Sequence, residues 1–396
     1  MFSQNPVFVP GPTNIPDEIR KACDVPTLDH RSASFKDILT PALNGVAKVI
    51  KSLTAEVFIF SGTGTGGWET AITNTLSPGD HVLIARNGMF SDRWINLCKR
   101  HGLNVSIIEA GWGQGLPADK YREKLAADKN HEIKAVLATH NETATGVTSD
   151  IAQIRRAIDA EKHPALLLVD GVSAIGSIDF RFDEWGVDIA VTGSQKGFML
   201  PLGLAIVAFS PKAMDATKTA RHYRTYFDIQ DMAKSYETGG YPYTPPVGLL
   251  NGLKLACDML LDESLENVFQ RHNRIANGVR AAVDAWGLKL CAEKPEWYSD
   301  TVSAIVTPTN FDATALVTYA AERYNVAFGV GLGKVAGKLF RIGHLGKLTD
   351  VMALSGIATA EMCMVDLGLS IPLGSGVAAA QEVYRASPLL ETKSAA

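Results

Sequence analysis

Residues 61–67 read SGTGTGG and stand between an apolar run that predicts a strand and a segment that predicts a helix. Glycines let the backbone approach an anion closely, and the start of a helix offers unpaired N–H groups and the positive end of its dipole. The segment therefore predicts a phosphate site, with a turn that binds nothing as the plain alternative. Gly62, Gly64 and Gly67 also fit G-x-G-x-x-G, but the next strand ends in Arg86 rather than in the carboxylate that a dinucleotide site needs.

Two ionisable residues follow buried strands further along the chain. Asp170 ends the run ALLLVD at 165–170, and Lys196 ends the run GSQK at 193–196. The acid either caps the following segment or faces the cleft beyond the strand ends, where open α/β sheets bind ligands. The lysine is either a surface residue or, in an apolar cleft, a nucleophile with a lowered pKa that can form a Schiff base.

Together, a phosphate site, an acid and a lysine at strand ends fit pyridoxal 5'-phosphate (PLP). In PLP enzymes a lysine holds the aldehyde, an acid pairs with the pyridinium nitrogen, and a glycine-rich turn holds the phosphate. The acid keeps the ring nitrogen protonated, so that the ring accepts electrons when a bond at the substrate Cα breaks. The three segments therefore predict a PLP enzyme, with a Rossmann dehydrogenase as the remote alternative that G-x-G-x-x-G alone would favour.

The elements that must position these groups lie between residues 55 and 209, where apolar and amphipathic stretches alternate. Several apolar runs have no polar residue in alternate positions, which is typical of strands buried on both faces of a largely parallel sheet. The helical patterns between them predict an α/β fold with helices on both faces. The predicted strands are 57–61, 81–86, 105–109, 135–139, 165–170, 188–192 and 203–209.

The pattern changes after the proline-rich residues 241–246, where long helical stretches introduce a smaller α+β unit. The predicted elements there are helices at 247–261, 265–286 and 313–324, a last helix at 351–367, and strands at 301–306 and 339–342. We predict an N-terminal segment of residues 1–20 that packs across two domains, a large domain of residues 21–262 and a small domain of residues 263–396.

The composition is that of an ordinary globular protein. The 396 residues include 38 Lys+Arg and 42 Asp+Glu, a net charge of −4, with no basic block that would favour nucleic acid or an anionic membrane. No apolar run is long enough to span a bilayer, and the first residues lack a signal-peptide pattern. The five cysteines form no Cys-x-x-Cys pair, which argues against a metal site and predicts a reducing compartment. We expect a cytoplasmic protein, since residues 391–396 carry no peroxisomal address either.

Seven segments, in this order, resemble the class-V, fold-type-I PLP aminotransferases, within them the alanine/serine/aspartate–glyoxylate group. The resemblance covers nearly the whole chain. It implies a large domain around a seven-stranded, mostly parallel sheet and a smaller C-terminal α+β domain. The segments are VPGPTN at 9–14, TGTG at 63–66, HNETATG at 140–146, VDGV at 169–172, GSQK at 193–196, YTP at 243–245 and FRIGHLG at 340–346.

The resemblance also implies a role for each matching residue. Lys196 is the Schiff-base lysine, and Asp170 is the partner of the pyridinium nitrogen. Thr143 contacts the phenolic side of the ring and the substrate, and Phe90, or alternatively Trp94, stacks on the pyridine face. The further cofactor contacts that the resemblance implies are Thr63, Gly64, Thr65, Val172, Gln195, Tyr241 and Thr244. The last two match residues that reach the phosphate of a neighbouring subunit's cofactor in this family, which implies a homodimer or higher homo-oligomer with shared active sites. The same proline-rich residues also fit a stiff linker, and the two interpretations are compatible.

Arg341 interrupts the apolar run LFRI at 339–342. An arginine in such a strand is rarely buried without an anion. Its planar guanidinium matches a carboxylate through two parallel hydrogen bonds, which a lysine cannot do. The resemblance implies that Arg341 binds the α-carboxylate of the substrate.

We therefore expect a PLP-dependent aminotransferase that transfers the amino group of an L-amino acid to glyoxylate, giving glycine and a 2-oxo acid. We favour aspartate over serine as the donor, with alanine as a further alternative. A dicarboxylate donor needs a second cation, for which RHYR at 221–224 and HR at 30–31 are candidates, although such runs are more often solvated surface. A PLP-fold protein that binds without turnover is the remaining class.

Overall fold

The computed structural model describes residues 6–26 and 28–387, and within them the chain forms two large sheets, one two-stranded sheet and thirteen α-helices. The strands are β1 (Val7–Phe8), β2 (Glu56–Ser61), β3 (His81–Arg86), β4 (Asn104–Glu109), β5 (Ile133–Thr139), β6 (Asn141–Glu142), β7 (Val147–Thr148), β8 (Leu166–Asp170), β9 (Ile189–Gly193), β10 (Leu204–Phe209), β11 (Lys289–Leu290), β12 (Val302–Val306), β13 (Ala327–Val330) and β14 (Leu339–Gly343). The helices are α1 (Asp17–Cys23), α2 (Lys36–Val49), α3 (Gly64–Thr75), α4 (Met89–Arg100), α5 (Ala118–Ala127), α6 (Ile151–Ala160), α7 (Pro211–Ala216), α8 (Ile229–Tyr236), α9 (Val247–Glu263), α10 (Leu265–Ala285), α11 (Ala313–Tyr324), α12 (Asp350–Asp366) and α13 (Ser375–Ala386).

The larger sheet has seven strands in the order β2-β10-β9-β8-β5-β3-β4. Strand β10 runs antiparallel to both of its neighbours, and the remaining pairs are parallel. The predicted fold class is confirmed, and all seven predicted strands are present within two residues of their predicted ends. These strands were predictable because β8, β9 and β10 are buried at every position, so their sequences are apolar except near the ends of β8 and β9.

Helices cover both faces of this sheet, as the alternation predicted. Leu167 of β8 belongs to one apolar core together with Val46 of α2 and Ile154 of α6. Its neighbour Leu168 points the other way and belongs to a second core with Trp68 of α3. Because successive side chains of a strand face opposite sides, the sheet separates the two cores.

The smaller sheet has five strands in the order β1-β13-β14-β12-β11, and its helices enclose a third core. The predicted helices from residue 247 onward are present, but 351–367 is not the last helix, because α13 follows it. Helix α13 buries only three small or aromatic positions, Gly376, Ala380 and Tyr384, so its sequence carries a weak apolar pattern. Tyr384 fixes it by donating to the main-chain oxygen of Ile275 at 3.1 Å.

The domain limits at residues 20/21 and 262/263 stay a prediction. The first five residues of the N-terminal segment and residues 388–396 of the small domain lie outside the described residues. The C-terminal residues 391–396, considered above for a peroxisomal address, are among them. Phe8 of β1 packs in the core of the smaller sheet, while Ile19 of α1 packs in a core of the larger one. Among the described residues, no helix combines the length and the apolar character that a membrane crossing requires.

Candidate active site

The carboxyl ends of β2, β5, β8 and β9 lie at one edge of the larger sheet, where open α/β sheets bind ligands. A cavity of about 250 Å³ opens at this edge. It is lined by Gly11, Pro12, Thr63, Gly64, Thr65, Trp68, Phe90, Arg93, Thr143, Asp170, Val172, Ser173, Gln195, Lys196 and Leu202. The folding of the chain therefore brings together nine of the residues that the sequence assigned to a cofactor, from segments far apart in the chain.

The turn at Gly62 and Thr63 leads directly from β2 into α3, and no side chain caps the start of that helix. The first N–H groups of α3 are thus left for a ligand, which favours an anion there. Gly64 must be glycine, because a Cβ at this position would lie 2.7 Å from the Val172 side chain. Gln195 lies on the cavity wall, and its side-chain amide carries N–H groups that can donate to an anion. These features fit a phosphate group held between the helix start and the Gln195 amide.

Asp170 is the last residue of β8 and is buried, with 4% of its surface exposed. Burial raises the pKa of its carboxyl to about 7, although the main-chain N–H of Val172 donates to Oδ1 at 3.0 Å and opposes the shift. Near neutral pH a carboxyl with such a pKa is present in comparable amounts as the protonated acid and as the carboxylate anion. A cation or a protonated ring nitrogen beside it would therefore readily shift it to the anion.

Lys196 is buried, with its Nζ donating to the main-chain oxygen of Pro10. Burial lowers the pKa of the amine to about 8, the charge of Arg341 lowers it further, and Asp170 opposes the shift. A substantial fraction of the amine is thus neutral and nucleophilic near neutral pH. Gly11 covers the amine at φ +102°, and a Cβ there would overlap with Nζ, so only glycine fits.

Thr143 reaches the cavity from the segment between β6 and β7, and a chain of hydroxyl groups fixes its side chain. Its Oγ1 lies 2.7 Å from Oγ of Ser173, which donates to the main-chain oxygen of Asn141 at 3.0 Å. The Asn141 amide in turn donates to Oγ1 of Thr301 at 3.0 Å. The network connects the cavity wall with the segment that leads into β12.

Phe90 lines the cavity, whereas Trp94 is fully buried and does not reach it. The backbone of Phe90 is held by Glu142, whose Oε2 accepts from the N–H groups of Phe90 and Ser91, each at 3.0 Å. Because Glu142 is buried at the start of α4, burial raises the pKa of its carboxyl. The geometry therefore favours Phe90 over Trp94 as the aromatic residue beside a bound ring.

Arg341 lies on β14, beside the cavity rather than on its wall. It is buried, with Nε donating to the main-chain oxygen of Val330 at 2.9 Å and Nη1 to that of Thr143 at 3.0 Å. Burial lowers the pKa of its guanidinium to about 10, although the charge of Glu142 opposes the shift. No carboxylate within the described residues forms an ion pair with Arg341. A buried arginine with only neutral acceptors is suited to an incoming carboxylate.

The structure does not bring Tyr241 and Thr244 into the cavity of their own chain. The Tyr241 hydroxyl donates to the main-chain oxygen of Ile59 at 2.7 Å, and Thr244 is exposed. Their predicted contact with a cofactor would thus have to be made across a subunit interface.

The two runs named as candidates for a second cation lie away from the cavity of their own chain. Neither the run at 221–224 nor that at 30–31 lines the cavity, and Arg224 pairs instead with Asp228 at 3.1 Å. The arginine on the cavity wall is Arg93, whose Cζ lies 5.3 Å from the centre of the Phe90 ring. Arg93 and Trp68 were not predicted from the sequence. Arg93 follows Phe90 by three residues on α4, and Trp68 follows Gly64 by four residues on α3. Residues three or four apart on a helix lie on the same face, and this spacing is the signal that points to them.

The part of the chain that the structure describes contains no group of three or more His, Cys, Asp or Glu residues that could hold a metal ion. The model of the class-V aminotransferase family matches residues 21–341. The chain belongs to the class-V aminotransferases. It is therefore a transaminase, as the sequence predicted, and the dehydrogenase alternative falls away.

Several known proteins resemble this aminotransferase along its whole length. The L-aspartate–glyoxylate aminotransferase of Paracoccus denitrificans is 71% identical over 100% of both chains. The serine–glyoxylate aminotransferase of Hyphomicrobium methylovorum is 54% identical over 96% of this chain and 94% of its own. The crystal structure of pyridoxamine–pyruvate aminotransferase from Mesorhizobium loti shares the fold with a TM-score of 0.90 at 28% identity, over 97% of this chain and 98% of that one.

Proposed function

We propose that this aminotransferase uses PLP to transfer the amino group of L-aspartate to glyoxylate, giving oxaloacetate and glycine. The observation that carries the proposal is the 71% identity, over the full length of both chains, with an L-aspartate–glyoxylate aminotransferase. Serine is the second candidate donor, because relatives at 54% and 51% identity are serine–glyoxylate aminotransferases.

The residues of the cavity fit PLP. Lys196 would carry the cofactor aldehyde, Asp170 would pair with the ring nitrogen, and Phe90 and Val172 would enclose the ring with Thr143 at its phenolic side. Thr63, Gly64, Thr65 and Gln195 would hold the phosphate, which the uncapped helix start and the position of Gln195 on the cavity wall support. When bound, PLP supplies an electron sink for bond breaking at the donor Cα.

The chain's own residues account for binding and proton transfer. Arg341 binds the donor α-carboxylate and thereby fixes the Cα–H bond relative to Lys196. The neutral amine of Lys196, favoured by its lowered pKa, takes the proton from Cα as a general base. The same residues act in the reverse direction when glyoxylate is the acceptor, so the two half-reactions alternate in a ping-pong sequence.

Arg93 supports aspartate as the donor. An aspartate donor brings a second carboxylate, and Arg93 is a cation on the cavity wall without an ion-pair partner among the described residues. The charge of Arg93 also lowers the pKa of Arg341, so the two guanidinium groups lie within electrostatic reach of each other. One arginine on the cavity wall and another beside the cavity suit a dicarboxylate, whereas serine would leave Arg93 without an anion.

We also propose that the active protein is a cytoplasmic homodimer in which Tyr241 and Thr244 reach the cofactor phosphate of the partner. The position of both residues outside their own cavity supports a shared site. The five cysteines are free, which suits a reducing compartment.

Steady-state rates with aspartate, serine and alanine against glyoxylate test the proposed function. We expect kcat/KM for aspartate to exceed that for serine and alanine, with formation of oxaloacetate and glycine. The matched control replaces glyoxylate by 2-oxoglutarate as the acceptor. A higher kcat/KM with serine would assign the donor to serine, and turnover without visible absorbance of bound PLP would overturn the proposal as a whole.

A further inference from the structure

Trp68 is a buried polar side chain to which neither the sequence nor the proposed reaction assigns a function. It lies on α3, four residues after Gly64, and lines the cavity with 3% of its surface exposed. Its Nε1 atom is buried and has no hydrogen-bond partner. An unpartnered buried N–H group costs free energy, so a native protein keeps one chiefly where a ligand or a rearranged neighbour completes the bond.

Asp170 is the carboxylate that lines the same cavity as the indole. The Asp170 carboxylate accepts from the main-chain N–H of Val172 through Oδ1, and its remaining acceptor sites are available for other donors. The Trp68 indole acts on Asp170 in the direction that favours the charged carboxylate, opposing the rise in its pKa that burial causes. Both groups lie on the wall of the same cavity.

A second tryptophan fixes the direction of this indole. Trp94 of α4 stacks on Trp68 with ring centroids 5.6 Å apart and an interplanar angle of 15°. Trp94 is fully buried, and its Nε1 also lacks a partner, but the residue does not reach the cavity. The stack therefore holds the Trp68 ring in place, and Trp94, which does not line the cavity, is a natural control for the effect of a lost indole N–H.

We propose that Trp68 is a positioning residue that donates its indole N–H to Asp170, and thereby keeps Asp170 in the anionic form that holds the protonated ring nitrogen of PLP. The inference rests on the proposed function, because it needs PLP in this cavity. It assigns two protein donors to Asp170, the Val172 amide and the Trp68 indole, with the ring nitrogen as the third. Hydrogen bonds to a charged acceptor are the stronger kind, so loss of one donor should be measurable.

The test compares Trp68→Phe with Trp94→Phe in the holoenzyme. Each variant keeps an aromatic ring in the stack and removes one indole N–H. We expect Trp68→Phe to raise the dissociation constant for PLP about tenfold, measured by dialysis and visible absorbance, and Trp94→Phe to change it less than about twofold. Reconstitution with the PLP analogue that has carbon in place of the ring nitrogen should abolish the difference, because Asp170 then has no proton to hold.

Equal effects of the two substitutions, or a Trp68→Phe effect that persists with the carbon analogue, would overturn the inference. Should Trp68→Phe fail to fold, the indole N–H signals of the wild-type holoenzyme in a ¹⁵N–¹H spectrum decide the question. One indole signal should shift strongly in Asp170→Asn, and if none does the inference is wrong. Failure of the proposed function looks different, because the wild-type protein itself would then bind no PLP.

Discussion

Arg341 donates from Nη1 to the main-chain oxygen of Thr143 at 3.0 Å. This bond joins β14 of the smaller sheet to the segment that carries a predicted ring contact, and it uses the guanidinium without neutralising it. The group expected to bind the substrate carboxylate is thus positioned by neutral acceptors, which leaves its charge for the substrate.

Replacing Arg341 by lysine should lower kcat/KM for the amino donor at least about 100-fold, mainly through KM. A lysine keeps the charge but loses the planar pair of donors and the bonds to Val330 and Thr143. Steady-state kinetics measure the change, with the exposed Arg122→Lys, which pairs with Glu161, as the control. An unaltered KM in the Arg341→Lys variant would exclude Arg341 from donor binding.

The substitution Lys196→Ala should remove the yellow absorbance of the imine between PLP and the lysine, and nearly all turnover, because no other amine lines the cavity within the described residues. Absorbance spectra and single-turnover assays with aspartate report both effects. Lys212→Ala is the control, since burial lowers the pKa of that lysine too, although it lies away from the cavity and donates to Ala165. Normal turnover of Lys196→Ala would disprove the assignment.

The capture of PLP by the apoprotein should depend on pH through Lys196, whose pKa is lowered from 10.5 to about 8. The ammonium form predominates below that value and cannot attack the aldehyde, so the rate should rise with pH and level off above about pH 8. Stopped-flow absorbance from about pH 6 to about pH 10 measures the profile. A rate that keeps rising toward the upper end of this range would show that the amine has its ordinary pKa.

The substitution Glu142→Gln should lower the free energy of unfolding by about 1–3 kcal/mol. Both carboxylate oxygens accept main-chain N–H groups, Oε1 from Ala144 and Oε2 from Phe90 and Ser91. Either orientation of a glutamine amide would set an NH₂ group against one of these donors. Urea unfolding at fixed protein concentration gives the value, and Glu109→Gln, on the surface beside Arg86, serves as the control. Equal stability of the two variants would contradict the expectation.

Replacing Arg93 by glutamine should lower kcat/KM for aspartate about tenfold or more, and change that for serine much less. The reason is that serine has no second carboxylate for Arg93 to bind. The ratio of the two kcat/KM values is the quantity to measure, since a general disturbance of the cavity would lower both. A parallel decrease with aspartate and serine would remove Arg93 as the specificity residue.

The larger sheet could be predicted almost completely from the sequence because its central strands are buried on both faces. The hydrophobic run at 166–170 and the acid that ends it are sufficient to place Asp170 at the sheet edge. The short strands β6, β7 and β11, of two residues each, carry no periodic signal and were not predicted. Helix α13 was missed because it buries few large apolar residues.

The site was predictable as far as its residues follow strand ends or match family segments. Trp68 and Arg93 neither follow a strand end nor belong to a matching family segment. Each lies within a helix, and whether its side chain lines the cavity depends on which face of that helix is turned toward the sheet edge. The runs at 221–224 and 30–31, which we considered more often solvated surface, do not line the cavity of their own chain, and charge composition alone does not show that Arg224 pairs with Asp228. Long-range partners of this kind are decided by the tertiary fold.

The segment from Val7 to Asn14 forms a closed loop, because the Asn14 amide bonds both the N–H and the C=O of Val7, at 2.9 and 2.8 Å. Its base is anchored to the smaller sheet through the pairing of Val7 with Ala327, and its tip, at Pro10 and Gly11, rests on Lys196. One short segment thus contacts both the Lys196 amine and β13, the strand that pairs with the Arg341 strand β14. A deletion that removed Val7 to Gly11 would take away both the strand pairing and the main-chain oxygen that the reacting amine bonds, so the environment of Lys196 depends on a segment about 186 residues away in the chain.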